Sequence, residues 1–301
     1  MDSEFFSKLK STCSTVLQNE PMNRHTTFKI GGAADFFAIP STNEEVINTI
    51  KLCNSSQIPY TIVGNGSNLL VSDGGIGGVV IKPALNEINV SGTKITAGAG
   101  ALLSRMANTA CENGLSGMEF AAGIPGSVGG AIYMNAGAYG GEMKDVIISV
   151  TYADENGNIK TVSSDKLGFG YRKSIFTGTN CIILSCEAEL CPDSREKIKA
   201  KMSELSAKRA EKQPLSMPSA GSTFKRPEGH FAGTLIEQAG LKGFSIGGAQ
   251  VSEKHAGFVV NTGGATCENV VKLIEHIQKT VRDKFSVELE PEIKITGRVE
   301  K

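Results

Sequence analysis

The run PYTIVGNGSNLLV, residues 59 to 71, constrains this chain most. One apolar stretch enters five small residues, and a second apolar stretch leaves them. Gly64-Asn65-Gly66 begins like a dinucleotide-binding fingerprint, but Leu69 stands where the third glycine belongs. Such a fingerprint must also open a helix, whose N-terminus then meets a pyrophosphate. Here the chain continues through 69–81, which reads as strand, turn and strand. Gly98-Ala99-Gly100 does lie between a strand pattern and a helix pattern, yet Leu103 replaces its third glycine and Glu119 is a weak ribose partner. A doubly wound dinucleotide domain is therefore not the expected architecture.

Two readings of residues 64–68 remain. They can be a plain hairpin turn. They can also be an anion nest, in which successive backbone N–H groups converge on a phosphate and Ser67 and Asn68 add side-chain donors. A second small-residue loop, AAGIPGSVGGA at 121–131, bears on the choice. Gly-Ile-Pro-Gly suits a tight turn, and the residues after it let a flat ligand lie against the backbone. Two such loops can clamp one dinucleotide; close strand packing is the other use of the same glycines.

Composition excludes several functions. Acidic and basic residues balance at 31 each among 301, so there is no electrostatic footprint for nucleic acid or an anionic membrane. At 40% hydrophobic and 21% charged, the chain reads as globular, with room for two or three domains. The seven cysteines are odd in number and contain no CxxC pair, which fits reduced thiols, no metal site and a cytoplasmic compartment. His25, His230, His255 and His276 form no ligand cluster either. The N-terminus carries early acids and a helical stripe of Phe5, Phe6, Leu9, Cys13, Val16 and Leu17, unlike a signal peptide. Residues 120–141 lack charge, but Pro125 and seven glycines make a poor membrane helix, and they read as buried loop and strand.

Periodicity predicts helices near 2–19, 42–57, 101–113, 194–212, 229–239 and 266–284. It predicts strands near 34–39, 59–63, 78–82, 93–97, 146–153, 158–162, 181–190, 256–260 and 287–295. Thr42 and Glu45 form a capping-box pattern, and Asn156-Gly157 signals a hairpin. In 287–295, Val287, Leu289, Ile293 and Ile295 share one face, with Glu288, Glu290, Glu292 and Lys294 on the other. Pro214 and Pro218 break the pattern after a charged helix and mark a boundary. The expected organisation is α+β, with segments 1–90, 91–213 and 214–301.

The order of motifs adds to this reading. RHTTFKIGG at 24–32 precedes GNGSN at 64–68, GIPGSVGG at 123–130 and NAGAYG at 135–140. YRKS at 171–174, AGSTFK at 220–225 and LEPEI at 289–293 follow. The series resembles the UDP-N-acetylenolpyruvoylglucosamine reductases (UDP-N-acetylmuramate dehydrogenases) over about residues 20–296. The short spacing after Arg172 matches the variant lacking an inserted tyrosine loop. The resemblance implies a two-part FAD-binding domain of the p-cresol methylhydroxylase/vanillyl-alcohol oxidase type, followed by a smaller α+β substrate domain in 214–301. It implies non-covalent FAD, and NADPH as co-substrate for reducing a UDP-sugar enolpyruvyl ether in peptidoglycan precursor synthesis; a monomer is expected. Gly64, Asn65, Gly66, Ser67 and Asn68, with Ala122, Gly123, Gly126, Ser127 and Gly130, would hold the cofactor. Ser222 matches the family's proton donor, Arg172 its carboxylate-binding arginine and Glu292 its glutamate. Arg209, Lys225 and Tyr139, with Arg172, are the implied substrate contacts.

Overall fold

The computed structural model describes residues 3–298. The chain forms two compact units. Unit 1 holds Phe36–Asn65, Gly78–Lys208 and the N-terminal residues to Gln18; unit 2 holds Asn19–Asp35, Gly66–Gly77 and the chain from Arg209 onward.

Unit 1 opens with helix α1 (Ser3–Thr12), shorter than the predicted 2–19; residue 2 of that prediction lies outside the described residues. The apolar stripe is spent by Cys13: Phe5, Leu9 and Cys13 are buried, while Leu17 is 38% exposed. The hydroxyls of Ser11 and Thr12 bond back to the Lys8 carbonyl at 2.8 Å each, and Val16–Pro21 is a strand. Such back-bonding by Ser and Thr competes with helix continuation. Helix α2 (Asn43–Ser55) starts as predicted, with the Thr42 hydroxyl accepting from the Glu45 N–H at 3.1 Å. The box is only half made, because the Glu45 carboxylate accepts from the Ser41 N–H at 2.7 Å and the Ser14 N–H at 3.1 Å instead. α1 and α2 bury Phe5, Leu9, Val46 and Ile50 with Phe36, Val79 and Ile81. Strand Tyr60–Ile62 pairs in parallel with the strand Ile76–Ile81, Tyr60 opposite Val79.

The larger sheet of unit 1 is five-stranded and antiparallel. Its order is Ile159–Ser163, Ile147–Ala153, Ile182–Glu189, Lys94–Gly98, Ile88–Ser91. The Asn-Gly hairpin is found where it was predicted, with Gly157 at φ 80°. Helices α3 (Leu103–Glu112) and α4 (Val128–Tyr133) belong to the same core, with Leu103, Met106, Val128 and Ile132 buried beside Ile95, Val150 and Phe176. Residues 120–141 read as buried loop and strand, but 128–133 is helix α4. Gly129 and Gly130 mask its propensity, while Ser127 caps it from the preceding residue. Helix α5 (Arg195–Lys212) buries only Ile198 and Leu205.

Unit 2 holds helices α6 (Ala232–Gln238) and α7 (Cys267–Phe285) and an antiparallel sheet ordered Ser245–Ile246, Ala249–Val251, Val259–Asn261. Its core joins Phe28, Ile30 and Leu70 to Ile236, Leu273 and Ile277. The expected strand over 287–295 is corrected: only Lys294–Thr296 is strand, paired in parallel with Leu69–Val71. Leu289 and Ile293 are buried, but Ile295 is 52% exposed. Pro291 interrupts the run, since it has no N–H to give a ladder.

Candidate active site

The loop at 64–68 connects the strands Tyr60–Ile62 and Leu69–Val71 and opens no helix. Among the described residues, no protein acceptor takes the backbone N–H groups of Gly64, Asn65, Gly66 or Ser67. Four successive donors without protein partners are what an anion nest offers. Gly66 is buried at φ 65°, and a Cβ there would lie 2.0 Å from the His25 carbonyl oxygen. A Cβ on Gly64 would lie 2.4 Å from Ser127 Oγ. The Asn65 side chain donates to the Pro125 carbonyl at 3.0 Å, so within unit 1 the first glycine loop is tied to the second.

The second loop is held by main chain. Leu103 N–H donates to Gly126 O at 2.9 Å, Val128 N–H to Ala101 O at 2.8 Å and Gly129 N–H to Ala99 O at 2.9 Å. The Ala99–Ala101 segment therefore backs this loop. A Cβ on Gly129 would stand 2.9 Å from that of Ala99. Ser127 is buried and accepts from Gly130 N–H at 3.3 Å, whereas Gly123 and Gly130 are exposed and Ala122 and Gly126 half-buried. The loop thus presents a nearly bare backbone, held by its neighbours, to whatever approaches it.

Arg172 and Tyr139 also belong to unit 1. Arg172 is half-buried, at φ 57°, on a two-residue turn closed by Gly170 N–H to Lys173 O at 3.1 Å and Lys173 N–H to Gly170 O at 3.3 Å. Its guanidinium lies 5.0 Å from the Tyr171 ring centroid. Tyr139 is 46% exposed, at φ 53°. One residue here was not singled out in the sequence. Asn135 is 1% exposed, at φ 43°, and its amide is hydrogen-bonded three ways. Its membership of NAGAYG was the available signal; the use of its side chain was not readable from spacing.

Unit 2 collects the other half of the expected residues. Ser222 is exposed and follows Gly221, whose φ is 76° and whose Cβ position is 3.9 Å from Ser67 O. Thr223, the next residue, is buried and doubly held: its N–H donates to Gly257 O at 2.9 Å, and its hydroxyl accepts from Val259 N–H at 2.9 Å. Its carbonyl accepts from Glu292 N–H at 2.8 Å. The Asn68 side chain donates to Glu292 O at 3.2 Å, and Lys294 N–H to Asn68 O at 2.9 Å. Asn68, Thr223 and Glu292 are thus joined in one hydrogen-bond network, with Ser67 and Ser222 as the chain neighbours of Asn68 and Thr223. Lys225 N–H donates to Glu290 O at 2.8 Å, and its ammonium pairs with the Glu290 carboxylate. Arg209 is half-buried near the end of α5, and Gln213 Oε1 is buried with no hydrogen-bond partner among the described residues.

Residues 34–163 match a family described as FAD binding domain. Residues 213–296 match the UDP-N-acetylenolpyruvoylglucosamine reductase C-terminal domain. A UDP-N-acetylenolpyruvoylglucosamine reductase of Caldanaerobacter subterraneus subsp. tengcongensis is 58% identical, covering 93% of each chain. One from Clostridium perfringens is 54% identical, covering 93% of this chain and 92% of that protein. A crystal structure of the Thermus caldophilus reductase superposes with a TM-score of 0.80 at 35% identity, covering 93% of this chain and 98% of that one. A variant of Phl p 4, a glucose oxidase, shares the fold alone, with a TM-score of 0.50 at 13% identity, covering 63% of this chain and 44% of that one.

Proposed function

The chain belongs to the UDP-N-acetylenolpyruvoylglucosamine reductase family, and we propose that it reduces UDP-N-acetylglucosamine enolpyruvate to UDP-N-acetylmuramate for peptidoglycan synthesis, with NADPH as reductant. Its cofactor is FAD, which supplies the hydride relay from NADPH to the enolpyruvyl double bond. The residues present fit that group. The N–H groups of 64–67 are offered in succession, and the glycines keep side chains out of both loops. In this reading Gly64, Asn65, Gly66, Ser67 and Asn68 hold the pyrophosphate, and Ala122, Gly123, Gly126, Ser127 and Gly130 lie along the ring system.

The observation that carries the reading is the backbone network of unit 2, in which Glu292 N–H is bonded to Thr223 O at 2.8 Å, directly after Ser222, and Asn68 to Glu292 O at 3.2 Å. A proton donor, a carboxylate and a residue of the cofactor loop share one rigid frame. Reduction of the vinyl group at its CH2 carbon leaves negative charge on the adjacent carbon and its carboxylate. Ser222 Oγ gives its proton to that carbon. A hydroxyl is a weak acid, but a carbanion-like centre is a strong base, so position suffices. The Arg172 fork grips the carboxylate and gains strength as charge develops there. Glu292 completes the catalytic group. Arg209, Lys225 and Tyr139 contact the remainder of the substrate; a substrate phosphate at Lys225 would share it with Glu290.

The enzyme is proposed to act as a cytoplasmic monomer. Seven free cysteines suit a reducing compartment, and among the described residues no helix is long and apolar enough to cross a membrane. An anaerobic visible spectrum tests the activity. NADPH should bleach the oxidised-flavin band and the enolpyruvyl substrate should restore it; recovery with oxygen alone would overturn the reading. In Ser222→Ala, bleaching should survive while recovery slows by about 10²–10⁴-fold. Equal loss of both steps would remove Ser222 from its role.

A further inference from the structure

We propose that Asn135 is a positioning residue for Arg172, fixing the turn from which the guanidinium meets the substrate carboxylate. The proposal rests on the assignment of Arg172 made above. All the groups involved lie in unit 1.

The turn is anchored at both ends to the last residue of α4 and the residues just after it. At its start, Asn135 Nδ2 donates to Gly170 O at 3.1 Å. At its end, Ser174 Oγ donates to Tyr133 O at 2.9 Å. Between these anchors the turn is closed by the Gly170–Lys173 pair, and Arg172 sits at φ 57°. A non-glycine side chain held there costs free energy unless its surroundings impose it. The two anchors hold the turn in that conformation and so fix the direction in which the Arg172 side chain leaves the backbone.

The same amide also recruits a charge. Asn135 Nδ2 donates to Glu142 Oε2 at 3.0 Å, and Asn135 Oδ1 accepts from Lys144 N–H at 2.9 Å. Lys144 Nζ lies 2.7 Å from Glu142 Oε2. The Glu142 carboxyl is held below its ordinary range, first by Lys144, then by Asn135, with the Arg172 charge also contributing. Glu142 is therefore a fixed anion within electrostatic reach of Arg172.

A bland account is that Asn135 is merely an asparagine tolerating the left-handed region at a helix end. Glycine would serve that purpose with less strain. It could not join Gly170, Glu142 and Lys144, and only the full amide, with both a donor and an acceptor, can.

The test is a double-mutant cycle of Asn135→Asp with Arg172→Ala. Two readouts are used: the rate at which enolpyruvyl substrate reoxidises the NADPH-reduced enzyme, and calorimetric affinity for UDP-N-acetylmuramate, which carries the product carboxylate. Asn135→Asp keeps the volume and tolerates the backbone, but removes both donors. It should slow reoxidation by about 10–100-fold and weaken product binding, with reduction by NADPH and FAD content unchanged. Both effects should vanish when Arg172 is already alanine. An Arg172→Ala enzyme with normal reoxidation would overturn the Arg172 assignment and this proposal with it. If Arg172→Ala is slowed but Asn135→Asp changes nothing in the otherwise wild-type enzyme, or costs as much again in the Arg172→Ala enzyme, the proposal alone is overturned. Should Asn135→Asp fail to fold, Asn135→Gly is measured in its place, with the same expectations. If neither variant retains FAD, the residue is structural and the proposal falls.

Discussion

Three acidic residues of the same parity, Glu288, Glu290 and Glu292, are indistinguishable by alternation, and only the resemblance selected one. Their surroundings separate them. Arg282 lies 3.4 Å from Glu288, Lys225 pairs with Glu290, and Glu292 is half-buried on the network that includes Asn68 and Thr223. Ser222 was equally plain in the sequence, a serine after glycine, and its fixed frame comes from buried Thr223. Arg172→Lys tests geometry against charge. Lysine keeps the cation but loses the planar fork, so reoxidation by the enolpyruvyl substrate should slow at least about tenfold, read by stopped-flow on the oxidised-flavin band. Unchanged reoxidation would mean that charge alone is used. Gly66→Ala tests the cofactor loop. Its φ of 65° and the His25 carbonyl 2.0 Å from the new Cβ leave no room. The purified variant should carry clearly less FAD per chain than the parent.

Among the elements, those specified by adjacent residues were legible. The start of α2 at Thr42, the span of α7 and the Asn156-Gly157 hairpin follow from capping and turn chemistry. The box at Thr266 and Asn269 is complete, and Asp73 adds its carboxylate to the N–H groups of Cys267 at 2.8 Å and Glu268 at 3.1 Å. Thr266→Ala should therefore lower stability by about 1 kcal/mol, seen as a lower Tm with unchanged FAD content. The hairpin predicts a pH dependence. Asp154 is buried, and its carboxyl lies well below the ordinary range, first because Lys160 bonds to it and then because of the Asn158 N–H. A depressed folded pKa gives stability that is present above the unfolded value and lost as pH falls through the folded one. Asp154→Asn should be less stable than the parent at pH 7, and the gap should begin to close below about pH 4. Urea denaturation at neutral and acid pH measures both. A gap independent of pH would mean that shape, not charge, is what Asp154 contributes.

For the whole molecule, FAD that binds only the folded chain should raise Tm as its concentration rises, and light scattering should return the mass of one chain. What the sequence determined by itself was local chemistry: the α+β alternation, the 64–68 glycine loop that opens no helix, the caps and the hairpin. Each depends on residues a few positions apart, and the ordered motifs added the family. Only the tertiary structure decided that 128–133 is helical and that Ile295 is exposed. It also gathered 19–35 and 66–77 with the chain beyond 209, and it gave Asn135 partners in two separate segments. Those outcomes depend on which distant side chains meet and which faces they cover. Periodicity along the chain carries no record of that.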